Sequence, residues 1–496
     1  MAVSTNRIIF AFLWKLLERC GVQGIGFVMA VVLARLLQPS EYGEIALVLV
    51  FVNIANVVVD GGLNTALIQK KDADGLDFST IFHASVCMAL LLYGVIFALA
   101  PFIAAFFGNS HMAVLIRVLA LSLVFYAVNS LQRAFISRHL LFKQLFKASV
   151  VTVVGSGAIG VLLALKGFGV WALVAHHLSS ALLACVVTGV MLRWRPTLHF
   201  SFARFRQLFD YGWKIFVSNL LISLFVNIRG LVIGKLYAPA ALAFFDRGKQ
   251  LPSLIMENLN TSLQTVLFPA FSAEQEHRDK LCAMVSRSIK TSSLLVFPIM
   301  VWLFVVADPL IRLLLTDKWL PAVPFVRIFC LSYMLMPLQT ANLEAIKSMG
   351  RSDVFLRLEL VKKVLEVSIL VGTACVSVYA IAWGVVAYNS ICLFLNLHPS
   401  KRLLGYALQK QLCDMWPPLA ASLVMGCLIY AFSWLPLPCL PMLLLQTCVG
   451  GMTYLLICHF SHMESFRYVL HHVHSILSHP KGFTKSTSKD HQKGSP

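Results

Sequence analysis

Residues 34–43 read ARLLQPSEYG, and residues 234–243, 200 positions further along the chain, read GKLYAPAALA. Each stretch has a small residue, a cation and a leucine, with a proline three residues after the leucine. Each closes one long apolar segment and opens the next. A repeat whose unit contains several membrane spans predicts two similar lobes in one bilayer. Two-lobed membrane proteins of this kind are usually transporters, with the substrate path between the lobes.

The composition requires a membrane environment. The chain has 496 residues, of which 58% are hydrophobic and 13% charged, and its mean hydropathy is +0.79. Soluble domains carry roughly 25% charged residues, so we expect the bilayer to be the solvent. The net charge of +19 would suggest nucleic acid as the partner of a soluble protein. In a membrane protein it indicates cytoplasmic loops facing anionic lipids, and we expect no nucleic-acid partner.

Apolar runs of about 20 residues recur along the whole chain and predict about fourteen transmembrane helices in an all-α polytopic protein. The predicted spans are 12–37, 43–68, 79–106, 112–136, 147–165, 168–192, 211–237, 240–269, 283–306, 322–347, 353–376, 378–397, 414–434 and 438–460.

Loop charges give an independent orientation. Most of the 41 cations fall in alternate loops, for example Lys70 and Lys71 in one and Arg133 and Arg138 in the next loop of the same set. Cationic loops stay in the cytoplasm. The sequence therefore predicts a multi-pass protein of the cytoplasmic (inner) membrane with both termini in the cytoplasm and surrounding membrane lipids as partners.

The repeat predicts five regions in the chain. Residues 1–195 form an N-lobe of helices 1–6, and residues 211–397 form a C-lobe of helices 7–12. Because six is even, the two lobes insert in the same orientation as a parallel repeat. Residues 196–210 are expected to form an amphipathic linker on the inner surface. Residues 398–462 hold a second linker and two extra C-terminal helices, and residues 463–496 form a polar cytoplasmic tail.

Two motif matches carry no chemistry. The GSGAIG stretch at residues 155–160 matches a dinucleotide fingerprint but lies in the middle of a predicted span, where small residues indicate close helix packing. The histidines near the C-terminus have no standard metal-site spacing, so we expect no metal site. We expect no cofactor either.

Several segments resemble those of Wzx-type polysaccharide flippases, of the polysaccharide transporter family in the multidrug/oligosaccharidyl-lipid/polysaccharide exporter superfamily. They lie in the same order and spacing, at residues 33–43, 60–69, 167–174, 232–235, 266–270, 309–315 and 341–346.

The resemblance implies a transporter, not an enzyme, that moves a lipid-diphosphate-linked oligosaccharide to the outer leaflet. The sugar would serve capsule, O-antigen or exopolysaccharide synthesis, including the O-antigen of lipopolysaccharide. The lipid-linked oligosaccharide is the expected partner, and the polymerase and glycosyltransferases of the same pathway are candidates for further partners.

A diphosphate needs fixed cations, because a bare phosphate in hydrocarbon is very costly. Cations inside predicted helices are therefore candidate substrate ligands: Arg229, Arg247, Lys249 and Arg19, with Asn227 beside the first. Many relatives look like Asn-Leu-Asp-Asn where this chain has Asn227-Ile228-Arg229-Gly230. The exchange of an acid for Arg229 favours anion binding in the second lobe.

Acids inside predicted helices are candidates for coupling transport to an ion. They are Glu257, Asp60 and Glu344. Glu257 lies deep in predicted helix 8, whereas Asp60 is expected close to the inner end of predicted helix 2, where it could serve only as a helix cap.

Three alternatives stay open at this point. A peptidoglycan-precursor flippase would look much the same. A multidrug antiporter of the same superfamily needs an acidic cavity, which the excess of intramembrane cations disfavours. A membrane enzyme such as a polysaccharide polymerase usually needs a large outer loop, and all the predicted loops are short.

Overall fold

The computed structural model describes residues 5–192, 195–468 and 470, and within these ranges the chain is helical with no β-strand. A short 3₁₀ helix covers Asp317–Ala322. In chain order the α-helices are α1 (Thr5–Leu36), α2 (Pro39–Asp60), α3 (Leu63–Gln69), α4 (Gly75–Phe107), α5 (His111–Ala120), α6 (Ser122–His139), α7 (Phe142–Leu165), α8 (Val170–Met191), α9 (Phe202–Leu236), α10 (Pro239–Ala273), α11 (Arg278–Leu315), α12 (Val323–Met334), α13 (Met336–Ser348), α14 (Ser352–Ala374), α15 (Val378–Leu404), α16 (Leu408–Phe432) and α17 (Cys439–Phe460).

The predicted all-α polytopic membrane fold is confirmed. Every predicted span coincides with a long helix or with consecutive helices, and twelve of these segments in the described chain are long and apolar enough to cross a membrane. The other two predicted spans are α10 and α14, which are long helices outside that set of twelve. Both carry several charges, among them Asp246, Arg247 and Lys249 in α10, and charge inside a membrane span marks a functional segment.

Three predicted spans are broken. The second divides into α2 and α3 at Gly61 and Gly62, whose φ angles of 52° and 68° lie in the left-handed region. Glycine adopts that conformation without the cost that a Cβ would bring. The fourth divides into α5 and α6, and the tenth into the 3₁₀ helix, α12 and α13. Broken spans leave backbone groups to satisfy, which membrane proteins tolerate only in protein or beside a polar cavity.

The chain forms two compact units. The first runs to Phe245 and includes Leu314–Trp319, and the second contains Asp246–Leu313 and the chain from Leu320 onward. Helix α9 therefore belongs to the first unit, where it packs against α2, α3 and α4. The repeat assigns the same helix to the second lobe, so division by contacts and division by repeat differ here. The two six-helix lobes stay a prediction.

The linker predicted at 196–210 is not a separate helix, because α9 begins at Phe202 and continues to Leu236 without a break. Hydrogen bonds and an ion pair hold the start of α9, and the residues just before it, against the first turns of α4. The backbone N–H of Thr197 donates to Ser79 Oγ at 3.0 Å, and Arg204 Nη1 lies 2.6 Å from Asp74 Oδ1. Asp74 also caps α4 by accepting backbone N–H groups of its first turn, as N-cap aspartates do.

The predicted packing role of the 155–160 stretch is confirmed. A Cβ on Gly157 would lie 2.7 Å from the Met29 side chain of α1, and one on Gly160 would lie 3.0 Å from His176 of α8. These glycines let α7 approach both neighbours closely. The predicted tail falls mostly outside the described residues, since the structure describes none of residues 471–496.

Candidate functional site

A polar cavity of about 480 Å³ opens inside the first unit, between α2, α3, α5, α6 and α8. Amides, hydroxyls and a few ionisable groups share its wall with apolar side chains. The polar lining residues are Asn53, Asn56, Asp60, Asn64, Ser122, Tyr126, Asn129, Ser130, Arg133, Ser137, His177 and Ser180. A polar cavity within helices that otherwise present apolar surface is the usual form of a membrane transporter's ligand site.

Asp60 is the acid of this cavity. It is the last residue of α2, and its carboxylate accepts hydrogen bonds from Asn64 Nδ2 and from the backbone N–H of Gly62. Asp60 was expected close to the inner end of its span, and it ends α2, while α3 continues the candidate span beyond the Gly61–Gly62 break as far as Gln69. The break places the residue at a helix end that lines the cavity, and its depth in the membrane stays a prediction.

Arg133 is the cation of the cavity. One of its guanidinium nitrogens, Nη2, lies 3.8 Å from Oε1 of Glu18, a carboxylate that is only 6% exposed and also pairs with Lys15 at 2.7 Å. The Arg133 side chain is 55% exposed. It is therefore held loosely from one side and offers donors to a ligand. The sequence interpretation missed Arg133 as a site residue because it counted this residue among the cations of an inner loop, although Arg133 falls inside the predicted span 112–136 and lies in α6.

The amides of the cavity come from three helices, α2, α3 and α6. Asn129 Nδ2 on α6 donates to the carbonyl oxygen of Ala184 on α8 at 2.9 Å. This bond ties two walls of the cavity together. Asn56 Oδ1 and Asn64 Oδ1, on α2 and α3, are buried and have no hydrogen-bond partner in the described part of the chain.

The predicted ligands on α9 do not line this cavity. Asn227 donates through Nδ2 to the carbonyl oxygen of Ser223 on its own helix, at 2.8 Å. Arg229 lies two residues later and is partly exposed. Arg19 on α1 is also partly exposed and is not a lining residue. Its neighbour Glu18 pairs with Lys15 and Arg133 instead.

The remaining predicted residues belong to the second unit. On α10, Arg247 Nη1 donates to Gln250 Oε1 at 2.6 Å, Lys249 is partly exposed and Glu257 is exposed. On α13, Glu344 is 2% exposed and pairs with Lys347 Nζ at 2.5 Å. The grouping of Arg229 with Arg247 and Lys249 thus draws on two compact units and stays a prediction, as does ion coupling through Glu257 or Glu344.

A transition-metal centre finds no support in the described residues, which contain no group of three or more histidine, cysteine or carboxylate side chains placed to hold a metal ion.

Comparison with known families gives one match that covers more than half of the chain. The sequence model described as "Polysaccharide biosynthesis protein" matches residues 32–324. Among curated proteins, the chain is 24% identical to the succinoglycan biosynthesis transport protein ExoT of Rhizobium meliloti, over 71% of both chains. It is 22% identical to the lipopolysaccharide biosynthesis protein WzxC of Escherichia coli, over 85% of this chain and 86% of that protein. It is 23% identical to the teichuronic acid biosynthesis protein TuaB of Bacillus subtilis, over 70% of this chain and 73% of that protein.

Two solved structures share the fold. The lipid II flippase MurJ in an inward closed conformation aligns with a TM-score of 0.75 and 12% identity, over 91% of this chain and 99% of that one. An inward-facing multidrug resistance transporter of the MATE family, in the MOP superfamily, aligns with a TM-score of 0.58 and 14% identity, over 77% and 94%. At these identities the likeness shows a common all-helical fold.

Proposed function

This chain belongs to the polysaccharide biosynthesis protein family, and from that membership we propose that it moves a lipid-diphosphate-linked oligosaccharide across the cytoplasmic membrane by alternating access. The sugar would be a precursor of a capsule, O-antigen or exopolysaccharide. The curated relatives support this proposal through their names, which assign them to succinoglycan, lipopolysaccharide and teichuronic acid biosynthesis. These are three different polymers, so the shared feature is the handling of polysaccharide precursors and not one sugar.

The observation that carries the proposal is the polar cavity in the first unit. A sugar cannot cross hydrocarbon without losing its hydrogen bonds to water, and an uncompensated hydroxyl costs several kcal/mol in an apolar medium, roughly 4–8 by transfer to alkane. Asn53, Asn129, Ser130 and Ser180 line the cavity and provide replacement partners of both kinds, because amides and hydroxyls both donate and accept.

Arg133 suits the diphosphate. Arginine binds phosphate oxygens through paired N–H donors, and this guanidinium reaches the cavity while Glu18 holds it from one side. We propose Arg133 as a phosphate ligand of the first unit, with Arg229, Arg247, Lys249 and Arg19 kept as candidate ligands from the sequence.

The orientation is also part of the proposal. Both termini lie in the cytoplasm and substrate enters from the inner leaflet, where the pathway's glycosyltransferases build it. A polymerase on the outer side would consume the product. Lipid II and multidrug substrates are the alternatives, and the same assay with either substrate in place of the oligosaccharide would separate them.

A complementation experiment tests the function in cells. In a strain lacking the gene, we expect the wild-type protein to restore surface polysaccharide and Arg133→Ala to lower it by about tenfold or more, since one charge-assisted hydrogen bond contributes about 1.5–3 kcal/mol. Lys147→Ala is the matched control, because Lys147 is an exposed cation of α7 outside the cavity. Normal polymer with Arg133→Ala would remove Arg133 from the site, and normal polymer without the gene would refute the function.

A further inference from the structure

Asp60 is a carboxylate inside a candidate membrane span, and no cation among the described residues forms an ion pair with it. Its carboxylate has two hydrogen bonds, from Asn64 and Gly62, and the described residues form no ion pair with it. Arg133 and His177 line the same cavity, but the ion-pair partner of Arg133 is Glu18. An ionised carboxylate in a low-dielectric interior is very unfavourable unless a positive charge balances it. A bound cation would therefore stabilise the ionised carboxylate of Asp60.

Two further oxygens beside Asp60 lack donors. Asn56 Oδ1 and Asn64 Oδ1 are buried without a hydrogen-bond partner in the described chain, and Asn64 is only 8% exposed. Asn56 precedes Asp60 by four residues and Asn64 follows it by four, and all three line the cavity. Asn56 and Asp60, four residues apart in α2, lie on the same face of that helix, and Asn64, beyond the break, is tied to Asp60 by the hydrogen bond from its Nδ2. Unpaired buried acceptors are rare and need a donor or an ion.

The break in the span adds negative potential at the same point. Asp60 ends α2, where Gly61 and Gly62 interrupt the span. The C-terminal end of a helix carries a partial negative charge. Ends of broken helices within membrane spans coordinate small cations in other transporter folds. The dipole of α2 thus favours the same ligand as the carboxylate.

We propose that Asp60, Asn56 Oδ1 and Asn64 Oδ1 form a binding site for a hydrated monovalent cation, Na⁺, whose binding is coupled to transport. Oxygen-only ligands select hard cations, and the single carboxylate balances one positive charge. A proton would neutralise Asp60 but would provide one O–H donor for two unpaired acceptors. The remaining ligands of Na⁺ come from water or from sugar hydroxyls in the cavity, which links ion and substrate. The coupling rests on the proposed function, whereas the binding does not.

Binding of Na⁺ alone provides the test. The full-length protein in lipid nanodiscs is titrated with radiolabelled Na⁺, and its unfolding temperature is measured in NaCl and in choline chloride. We expect saturable binding and a higher unfolding temperature in NaCl, because a ligand that binds only the folded state stabilises it. Asp60→Asn should weaken Na⁺ binding at least tenfold, and Asn64→Leu and Asn56→Leu should weaken it as well.

The control is Asp72→Asn, which makes the same chemical change at an exposed loop residue and should leave Na⁺ binding unchanged. Asn56→Leu keeps the test informative if Asp60→Asn fails to fold, because it leaves the charge in place. Binding that is absent from the wild-type protein, or equal in the wild type, Asn56→Leu and Asn64→Leu, overturns the site.

Oligosaccharide flipping with and without a Na⁺ gradient separates the two proposals. Na⁺ binding without flipping would refute the proposed function and leave the ion site standing. The opposite outcome is a protein that binds no Na⁺ and flips the oligosaccharide at a rate that depends on a pH gradient but not on Na⁺. That result would refute the ion site and leave the function standing.

Discussion

A Cβ on Gly43 would overlap the carbonyl oxygen of Pro239. Gly43 ends the first copy of the repeated stretch, and Pro239 is the proline of the second copy. A second close approach lies beside it, because a Cβ on Gly234 would overlap the Leu47 side chain. The two copies, 200 residues apart in the chain, therefore pack against each other in the first unit.

Trp319 packs against the first copy and against Phe244, the residue directly after the second copy. Its ring is fully buried, its Nε1 donates to the carbonyl oxygen of Ala34 at 2.9 Å, and its centroid lies 5.4 Å from Tyr42 and 6.0 Å from Phe244. Lys318 adds a bond from its Nζ to the carbonyl oxygen of Arg35 at 2.7 Å. The short Leu314–Trp319 segment is thus held to the first unit through the repeated stretch.

The first prediction concerns the Gly43 contact. Gly43→Ala should lower the free energy of unfolding by about 1–3 kcal/mol, the usual cost of overpacking, because the new methyl group meets backbone that cannot rotate away. Gly94→Ala is the matched control, since a Cβ at this position in α4 has nothing within 4 Å. The free energy of unfolding of this variant should stay within about 1 kcal/mol of the wild-type value. Thermal unfolding in detergent measures both. Equal effects would mean that the close approach of the two copies is not part of the folded state.

A second prediction addresses Trp319. Trp319→Ala should cost about 3–5 kcal/mol as a large-to-small core substitution, and Trp319→Phe about 1 kcal/mol, since it keeps a ring but loses the bond to Ala34. Trp434, which is 82% exposed, provides the control. The free energy of unfolding of Trp434→Ala should match that of the wild type within about 0.5 kcal/mol. If Trp319→Ala and Trp434→Ala had the same free energy of unfolding, the packing of Trp319 would not stabilise the fold.

The third prediction is a pH dependence at the start of α4. The backbone N–H of Asp77, followed by the Arg204 guanidinium, lowers the pKa of Asp74 below its usual value. A carboxyl whose folded pKa is depressed contributes stability that is present above its unfolded pKa, about 3.9, and is lost as pH falls through the folded pKa.

The measurement compares unfolding of the wild type and Asp74→Asn between pH 6 and pH 3. The wild type should be more stable at pH 6, by less than about 1 kcal/mol because both side chains of the pair are partly exposed, and this difference in stability should shrink towards pH 3. A difference that grows on acidification would contradict the ion pair between Asp74 and Arg204.

Much of the fold follows from local pattern. Each long apolar run becomes a helix, because a chain in lipid must satisfy its backbone hydrogen bonds within itself. The breaks within the spans are harder to predict from the sequence, although Gly61-Gly62 after an acid inside an apolar run indicates one of them. The place of α9 does not follow from the repeat, since it depends on contacts such as that between Gly212 and Gly62, which no local pattern reveals.

Only part of the cavity could be predicted from the sequence. Asn53, Asn56, Asp60 and Asn64 recur every three to four residues, a polar stripe along one helical face that could have indicated a cavity wall. The opposite wall comes from α6 and α8, and their approach is set by long-range packing. Arg133 falls inside the predicted span 112–136, but its charge was grouped with the cations of the inner loop and was therefore not considered as a ligand.

The measurement that tests the central claim most directly is flipping in vesicles of defined lipid. The purified protein is reconstituted with a fluorescent lipid-diphosphate-linked oligosaccharide, and a membrane-impermeant quencher reports the leaflet that holds the label. The wild type and Lys147→Ala should move the label between leaflets, and Arg133→Ala should do so at least tenfold more slowly while inserting normally. Rates equal to those of protein-free vesicles for the wild type would contradict the account.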